Sequence, residues 1–342
     1  MDGITVHRIR VEPEPFDLLT ASEALARSRY DLLRAVRAEV EPGDPIPSLD
    51  AVRLEAQYPV PWTRRQEWVV LDGDRVAGWA RLELEDLDTN RHLAECKIEV
   101  ARSDRRRGIG TQLLDAVGSA AREDGRTVLG TVASQGAAAE PFLAAVGGQN
   151  RQVFRVSRMQ MAELDVDLMR AWVDGANERA SGYTLVGWDD PCPPEYADAF
   201  SEVVDVMNTA PLDDLDWEDE HYTPEQIREW QDRLAKRGHV GWVYAARDDA
   251  TGHFAGFTEM GFWPWSPELA YQGDTGVHPD HRNLGIGRWL KAAMVLRLMD
   301  ERAARAVETG NAGSNRPMLA INEAMGFRPH RIGGFWQLPL SS

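Results

Sequence analysis

Two hexapeptides in this 342-residue chain have residue types and spacing suited to gripping a phosphate. They are Arg105-Arg106-Arg107-Gly108-Ile109-Gly110 and Arg282-Asn283-Leu284-Gly285-Ile286-Gly287. Glycine lets a backbone come close to a ligand, and the free N–H groups and dipole at a helix start attract an anion. A phosphate or pyrophosphate suits such a turn. Neither copy completes the Gly-x-x-x-x-Gly-Lys-Ser/Thr of a Walker loop. Neither has the third glycine of a dinucleotide fingerprint, because Leu113 and Leu290 occupy that position. For one copy alone, an ordinary strand–helix junction would serve as well.

The flanking elements must place these turns. Before the first, Ala94, Cys96, Ile98 and Val100 alternate with Glu95, Lys97 and Glu99, the pattern of a half-buried strand with its charges outward. After it, Ile109, Leu113, Val117 and Ala120 fall on one helical face, as do Ile286, Leu290, Met294 and Leu298 after the second. Arg105 and Arg282 are 177 residues apart, and so are Gly108 and Gly285, and Gly110 and Gly287. Upstream, residues 68–82 and 242–260 both read as hairpins, with Ala77-Gly78-Trp79 echoed by Ala255-Gly256-Phe257. A period this long is a whole domain. The expected organisation is a first domain over 1–162, a connecting helix over 163–182 carrying Leu164, Leu168 and Trp172, and a second domain over 183–342. The second domain opens with an apparent strand at 183–188, and Thr223-Pro224 is placed to cap a helix.

Composition adds bounds. The chain is 43% hydrophobic and 27% charged with a formal net charge of −17, which argues against nucleic acid and allows a cationic substrate. The first residues lack the apolar core of a leader, and no run reaches membrane-span length, so a cytoplasmic protein without a membrane partner is expected. Cys96 and Cys192 are too few for a disulfide framework and read as reduced thiols. No metal is expected at His278 and His281, which lack a carboxylate or cysteine set at known spacing. The acidic run 210–226 is either a solvated loop or a collar for a cationic amine. Trp263 and Trp265 either pack a loop or form a wall over an acceptor.

The Arg-x-x-Gly-x-Gly turn after a Val-bearing strand resembles the signature of the GNAT N-acetyltransferase superfamily, and Asn315 with Asn322-Glu323-Ala324-Met325-Gly326-Phe327 is similar to the ending of that family's motif. The resemblance covers most of 240–330 and, more loosely, 66–150. It implies an α/β fold of two tandem GNAT-like domains, each a twisted mixed sheet flanked by helices and splayed at the motif strand. The layout is similar to that of the tandem class that includes mycothiol synthase.

The resemblance further implies acetyl-CoA as co-substrate and direct attack by a primary amine on the thioester within a ternary complex. Arg282, Asn283, Leu284, Gly285, Ile286, Gly287 and Arg288 would hold the pyrophosphate. Val277 and His278 would line the pantetheine, and Asn315 and Asn322 would lie beside the co-substrate. Backbone near Val277 would meet the oxyanion. In the first copy the matching positions are Val100, Arg105, Arg107, Gly108, Gly110 and Thr111. The family's leaving-group tyrosine falls on Asn322 and on Leu143, and its asparagine on Asn315 and on Gly136. The family's frequent base position is Glu95 in the first copy but Gln272 in the second. There Asp274, two residues along and so on the face of Gln272, and Glu259 on the preceding strand are the candidates. The expectation is therefore a catalytic second domain and a first one that is structural or binds CoA without turning over. The rivals are catalysis in the first domain with Glu95 as base, and an acyl-CoA sensor or scaffold without catalysis. The acceptor would be a small cationic amine, and the chain a monomer (an internal pseudo-dimer) or a homodimer.

Overall fold

The computed structural model describes residues 12–302 and 304–340; residues 1–11, on which the reading of a missing leader rests, lie outside them. In chain order the first elements are β1 (Glu14–Phe16), α1 (Glu23–Val40), α2 (Leu49–Gln57), β2 (Thr63–Asp72), β3 (Arg75–Glu85), β4 (Leu93–Val100), α3 (Ile109–Glu123), β5 (Val128–Ser134), α4 (Ala139–Ala145) and β6 (Gln149–Gln160). There follow α5 (Val166–Asp174), α6 (Ala176–Arg179), β7 (Tyr183–Asp189), α7 (Ala197–Val204), α8 (Pro224–Lys236), β8 (Val240–Asp248) and β9 (Phe254–Phe262). The last are β10 (Leu269–Val277), α9 (Ile286–Glu301), β11 (Ala306–Ala312), α10 (Arg316–Met325) and β12 (Arg328–Pro339). Among the described residues, no helix is long and apolar enough to cross a membrane.

Packing divides the chain into two units, residues 1–49, 62–131 and 338–342, and residues 50–61 and 132–337. In the first, strand order is β1-β2-β3-β4-β5, antiparallel except for the parallel β4–β5 pair. The Ile109, Leu113 and Val117 stripe of α3 is buried against this sheet, as its helical spacing requires. Helix α1 covers the other face and brings a charged residue with it. Glu99, expected to face outward, is 3% exposed and paired with Arg29 at 3.1 Å and Lys97 at 2.9 Å. The Arg29 guanidinium lies 3.7 Å from the Trp79 ring centroid. Alternation along β4 gave the correct faces, but a second covering layer made both of them interior.

In the second unit the order is β12-β6-β11-β10-β9-β8-β7. Here β6 is antiparallel to both β11 and β12, although its sequence belongs to the first copy. Helix α9 packs on Trp242, Met260 and Phe262, while α7 packs on the opposite face at Val243, Ala245 and Phe257. Helix α8 starts as its sequence predicts: Thr223 Oγ1 accepts from Gln226 N–H and Gln226 Oε1 from Thr223 N–H, with Pro224 in the first turn. The connecting stretch is two short helices, α5 and α6, broken at Gly175, with Asp165 capping α5.

Candidate active site

The two hexapeptides adopt the same conformation. Arg106 and Asn283 have φ of 65° and 66°, and Gly108 and Gly285, the N-caps of α3 and α9, have φ of 84° and 82°. Left-handed backbone is unstrained for glycine and is adopted only seldom by other residues, so its recurrence at both pairs of positions marks one shared turn. In both copies the leading arginine folds back onto its strand, Arg105 Nε donating to the Val100 carbonyl at 3.2 Å and Arg282 Nε to that of Val277 at 3.0 Å.

Charge separates the copies. In the first, Arg105 makes a two-pronged bond to the Glu39 carboxylate at 2.7 and 2.8 Å. Arg107 is held by Asp104, a carboxylate 2% exposed that also binds Arg75. These loop cations are already neutralised. In the second copy Arg282 donates to the neutral Thr209 hydroxyl at 2.7 Å, and Arg288 lies 5.4 Å from the Trp172 ring. A third cation, which sequence reasoning missed, is Arg179 at the end of α6. A Cβ built on Gly285 would meet its Nε at 3.2 Å. Among the described residues none of Arg179, Arg282 and Arg288 has an ion pair, so the N-terminus of α9 presents three uncompensated cations beside open N–H groups.

Both motif strands splay. β4 pairs with β5 only over Leu93–Glu95, and β10 with β11 only over Leu269–Tyr271. From Gln272 to Val277, β10 pairs on its β9 side and has no strand partner on the other among the described residues, which leaves a row of backbone groups open to a ligand. His278 N–H donates to the Ala255 carbonyl, its Nδ1 accepts from Asp280 N–H, and His281 Nδ1 meets the Tyr183 hydroxyl at 2.6 Å.

A bulge between Gln272 and Thr275 sets two residues, Gly273 and Asp274, against Glu259. This overturns the expected shared face of Asp274 and Gln272. Gln272 turns toward the α9 side, its Nε2 donating to Thr258 Oγ1 at 2.9 Å, whereas Asp274 joins Glu259 on the α7 side. The extra residue resets the period-two rule. Burial, then the charges of Asp274 and Asp190, raise Glu259 well above the ordinary carboxylate range. Burial raises Asp274 too, although part of the residue stays exposed to solvent. At the aligned positions the first copy carries Arg81 and Lys97, which face each other across β3 and β4, and its Glu95 is exposed. A pair of carboxylates in one copy is a pair of cations in the other.

Asp190 was also missed. Its carboxylate points one oxygen at Gly241, where a Cβ would stand 1.9 Å from Oδ2, and its Oδ1 accepts from Gln231 Nε2 at 2.8 Å. Burial, then Asp189, push it from 3.8 up to about 6. A raised carboxyl pKa favours the folded state fully below the unfolded value, and that contribution is lost as pH climbs from about 4 to about 6. Asp190→Asn, which keeps an oxygen for Gln231, is therefore expected to gain on the parent as pH rises. Urea unfolding should put the gain at about 1–2 kcal/mol at pH 7, allowing for partial exposure.

Asn315 caps α10, its Oδ1 accepting from Met318 N–H at 3.3 Å. Asn322 is fully buried, with Nδ2 donating to Asn311 Oδ1 at 2.7 Å. Trp263 stacks on Trp265 at 6.0 Å, and Arg237 already lies 5.0 Å from the Trp263 ring, so that wall has a cation of its own. The acidic run is tied down at two points, with the distant Gln337 bridging the Asp216 backbone and the nearby Asn208 that of Glu220.

Comparison with known proteins agrees with this geometry. The chain is similar to a tandem GNAT protein from the clavulanic acid biosynthesis pathway, solved without AcCoA. The two are 28% identical over 97% of this chain and 99% of that one, with a TM-score of 0.79. A GCN5-related N-acetyltransferase from Sphaerobacter thermophilus shares the fold at 16% identity, 98% and 97% coverage and a TM-score of 0.67. So does a glucosamine N-acetyltransferase region of a fungal multi-domain β-N-acetylglucosaminidase, at 13% identity and 0.65, over 95% of this chain and 38% of that one. No curated protein sequence matches the chain. The acetyltransferase (GNAT) family matches residues 18–147 and again 205–327, and with both copies of the motif folded alike the chain belongs to that family, in its tandem form.

Proposed function

We propose that the second unit is an acetyl-CoA-dependent N-acetyltransferase acting on the primary amine of a small cationic acceptor. One contrast carries the reading: around the second loop Arg179, Arg282 and Arg288 have no ion pair among the described residues and strands β9 and β10 carry two protonatable carboxylates, whereas in the first copy Arg105 and Arg107 are ion-paired and Arg81 and Lys97 stand at the carboxylate positions. The relative described as solved without AcCoA supports the choice of donor.

In this reading the diphosphate of acetyl-CoA rests on the N–H groups of Gly285 to Arg288, with Arg179, Arg282 and Arg288 around it. The pantetheine arm runs along the open edge of Gln272–Val277, where backbone N–H groups near Val277 polarise the thioester carbonyl. The acceptor approaches from the α7 side. An alkylammonium has a reference pKa near 10, so a base must take its proton before nitrogen can attack. The Glu259–Asp274 pair holds negative charge at a raised affinity for protons, which suits it to that transfer and draws a cation in. Turnover should accordingly rise with pH through the raised carboxyl pKa.

A calorimetric titration with acetyl-CoA tests the assignment, and one site per chain is expected. Two sites would return the first copy to consideration as a second centre, and no binding would end the acetyltransferase reading.

A further inference from the structure

The α9 side of the split contains two buried polar groups that the chemistry above does not use. Lys291 is 1% exposed, has no ion pair or hydrogen bond among the described residues, and is pushed down to about 7 by burial alone. Asn322 on α10 is 0% exposed, and its Oδ1 has no partner. Leaving such groups unsatisfied in a core costs stability, and apolar residues of similar size would avoid the cost. The first copy does avoid it, with Leu114 and Leu143 at the corresponding positions. The apolar positions around Lys291 persist in both copies, Ile109 and Ile286, Leu113 and Leu290, and Val117 and Met294 all being buried. Both polar exchanges thus occur only in the copy with an open phosphate loop.

Their position points into the split. A Cβ on Gly287 would lie 3.6 Å from Val277 Cγ2 and 3.8 Å from Ile321 Cδ1, so the first turn of α9 sits between the end of β10 and α10. Lys291 is one turn further on that stripe, and helical side chains lean back toward the N-terminus. Its Nζ is 5.8 Å from the ring centroid of Phe327, whose N–H donates to the Asn322 carbonyl at 3.0 Å. The carboxylates lie on the α7 face and these two groups on the α9 face, with the open edge of β10 between them.

We propose that Lys291, assisted by Asn322, meets the sulfur of departing CoA and protonates it. This rests on the acyltransferase reading above. Nitrogen bonds to the carbonyl carbon, the carbon–sulfur bond breaks with its electron pair on sulfur, and the Lys291 ammonium proton moves to that sulfur. Neutral lysine then regains a proton from solvent, while the amine's proton leaves through the carboxylates on the other face. A thiol's reference pKa of about 8.5 makes proton transfer from this ammonium to the thiolate downhill.

The test needs no acceptor. CoA and its S-methyl thioether are titrated into the full chain at neutral pH, and the ultraviolet thiolate band of bound CoA is recorded. CoA is expected to bind about tenfold tighter than the thioether, the worth of a hydrogen bond between its S–H and Lys291 Nζ, and to show no thiolate band, because the proton prefers sulfur to this amine. Lys291→Leu, the residue the first copy carries, should remove the preference while binding the thioether unchanged. Equal binding of the two ligands by the unaltered chain, or a thiolate band on bound CoA, would overturn the role of Lys291 and leave the acyl-CoA reading standing. A preference that survives in Lys291→Leu would overturn it also. Failure of both ligands to bind would remove the acyl-CoA reading itself, and this proposal with it.

Discussion

Glu259→Gln is expected to lower turnover by about 10²–10⁴-fold, the usual worth of a positioned general base, with acetyl-CoA affinity nearly unchanged. The amide is close in size to the carboxyl it replaces, so packing against Gly273 and the bulge should persist. Asp274→Asn separates the roles of the pair. Its negative charge helps raise Glu259, so its removal should move the acid limb of the pH–rate profile to lower pH. If Asp274 is instead the group that accepts the proton, Asp274→Asn will show the large loss and Glu259→Gln the smaller one. Free-thiol release from acetyl-CoA over a panel of small cationic amines gives both readings. Unchanged turnover in both variants would eliminate these carboxylates as bases.

The second large effect is expected from a matched pair, Gly285→Val and Gly108→Val. Both glycines have left-handed backbone, where a β-branched residue is a genuine outlier, so each variant should lose about 1–3 kcal/mol of stability. Only Gly285→Val should lose acetyl-CoA, by about 100-fold or more, because its side chain would occupy the phosphate face and displace Arg179. Around Gly108 a Cβ meets nothing within 4 Å, and the neighbouring cations are already bound to Glu39 and Asp104. Equal loss of binding in the two variants would mean that the first loop also holds a diphosphate.

Local signals in the sequence carried well into the structure. Glycine at two left-handed caps, Thr223-Pro224 before α8, and the hairpins at 68–82 and 242–260 each depend on neighbours within a few residues, and each is where the pattern put it. Features that depend on a second layer or on distant chain were not legible. Burial of Glu99 needs α1 over β4, and Arg179 reaches the loop from another helix. The face of Asp274 was lost to one extra residue in β10, which leaves no mark in composition. The charge reversal at Arg81 and Lys97 is different. It was present in the aligned copies all along, since Gly256 and Gly78 fix the register of Glu259 on Arg81.

The strand β6 also sets terms for how the protein can be made and divided. Its two neighbours, β11 and β12, leave the ribosome long after it does, so the first half of a nascent chain ends in a strand with both edges unpaired. Such pairings between distant segments form slowly, and the waiting strand is exposed to other chains in the meantime. The same weave means that the ancestral duplication is no longer reversible by cutting at the linker: a fragment beginning at residue 163 would lack the strand between β11 and β12. The two copies have become one obligatory folding partnership, in which the half with the neutralised loop remains indispensable as the source of its partner's missing strand.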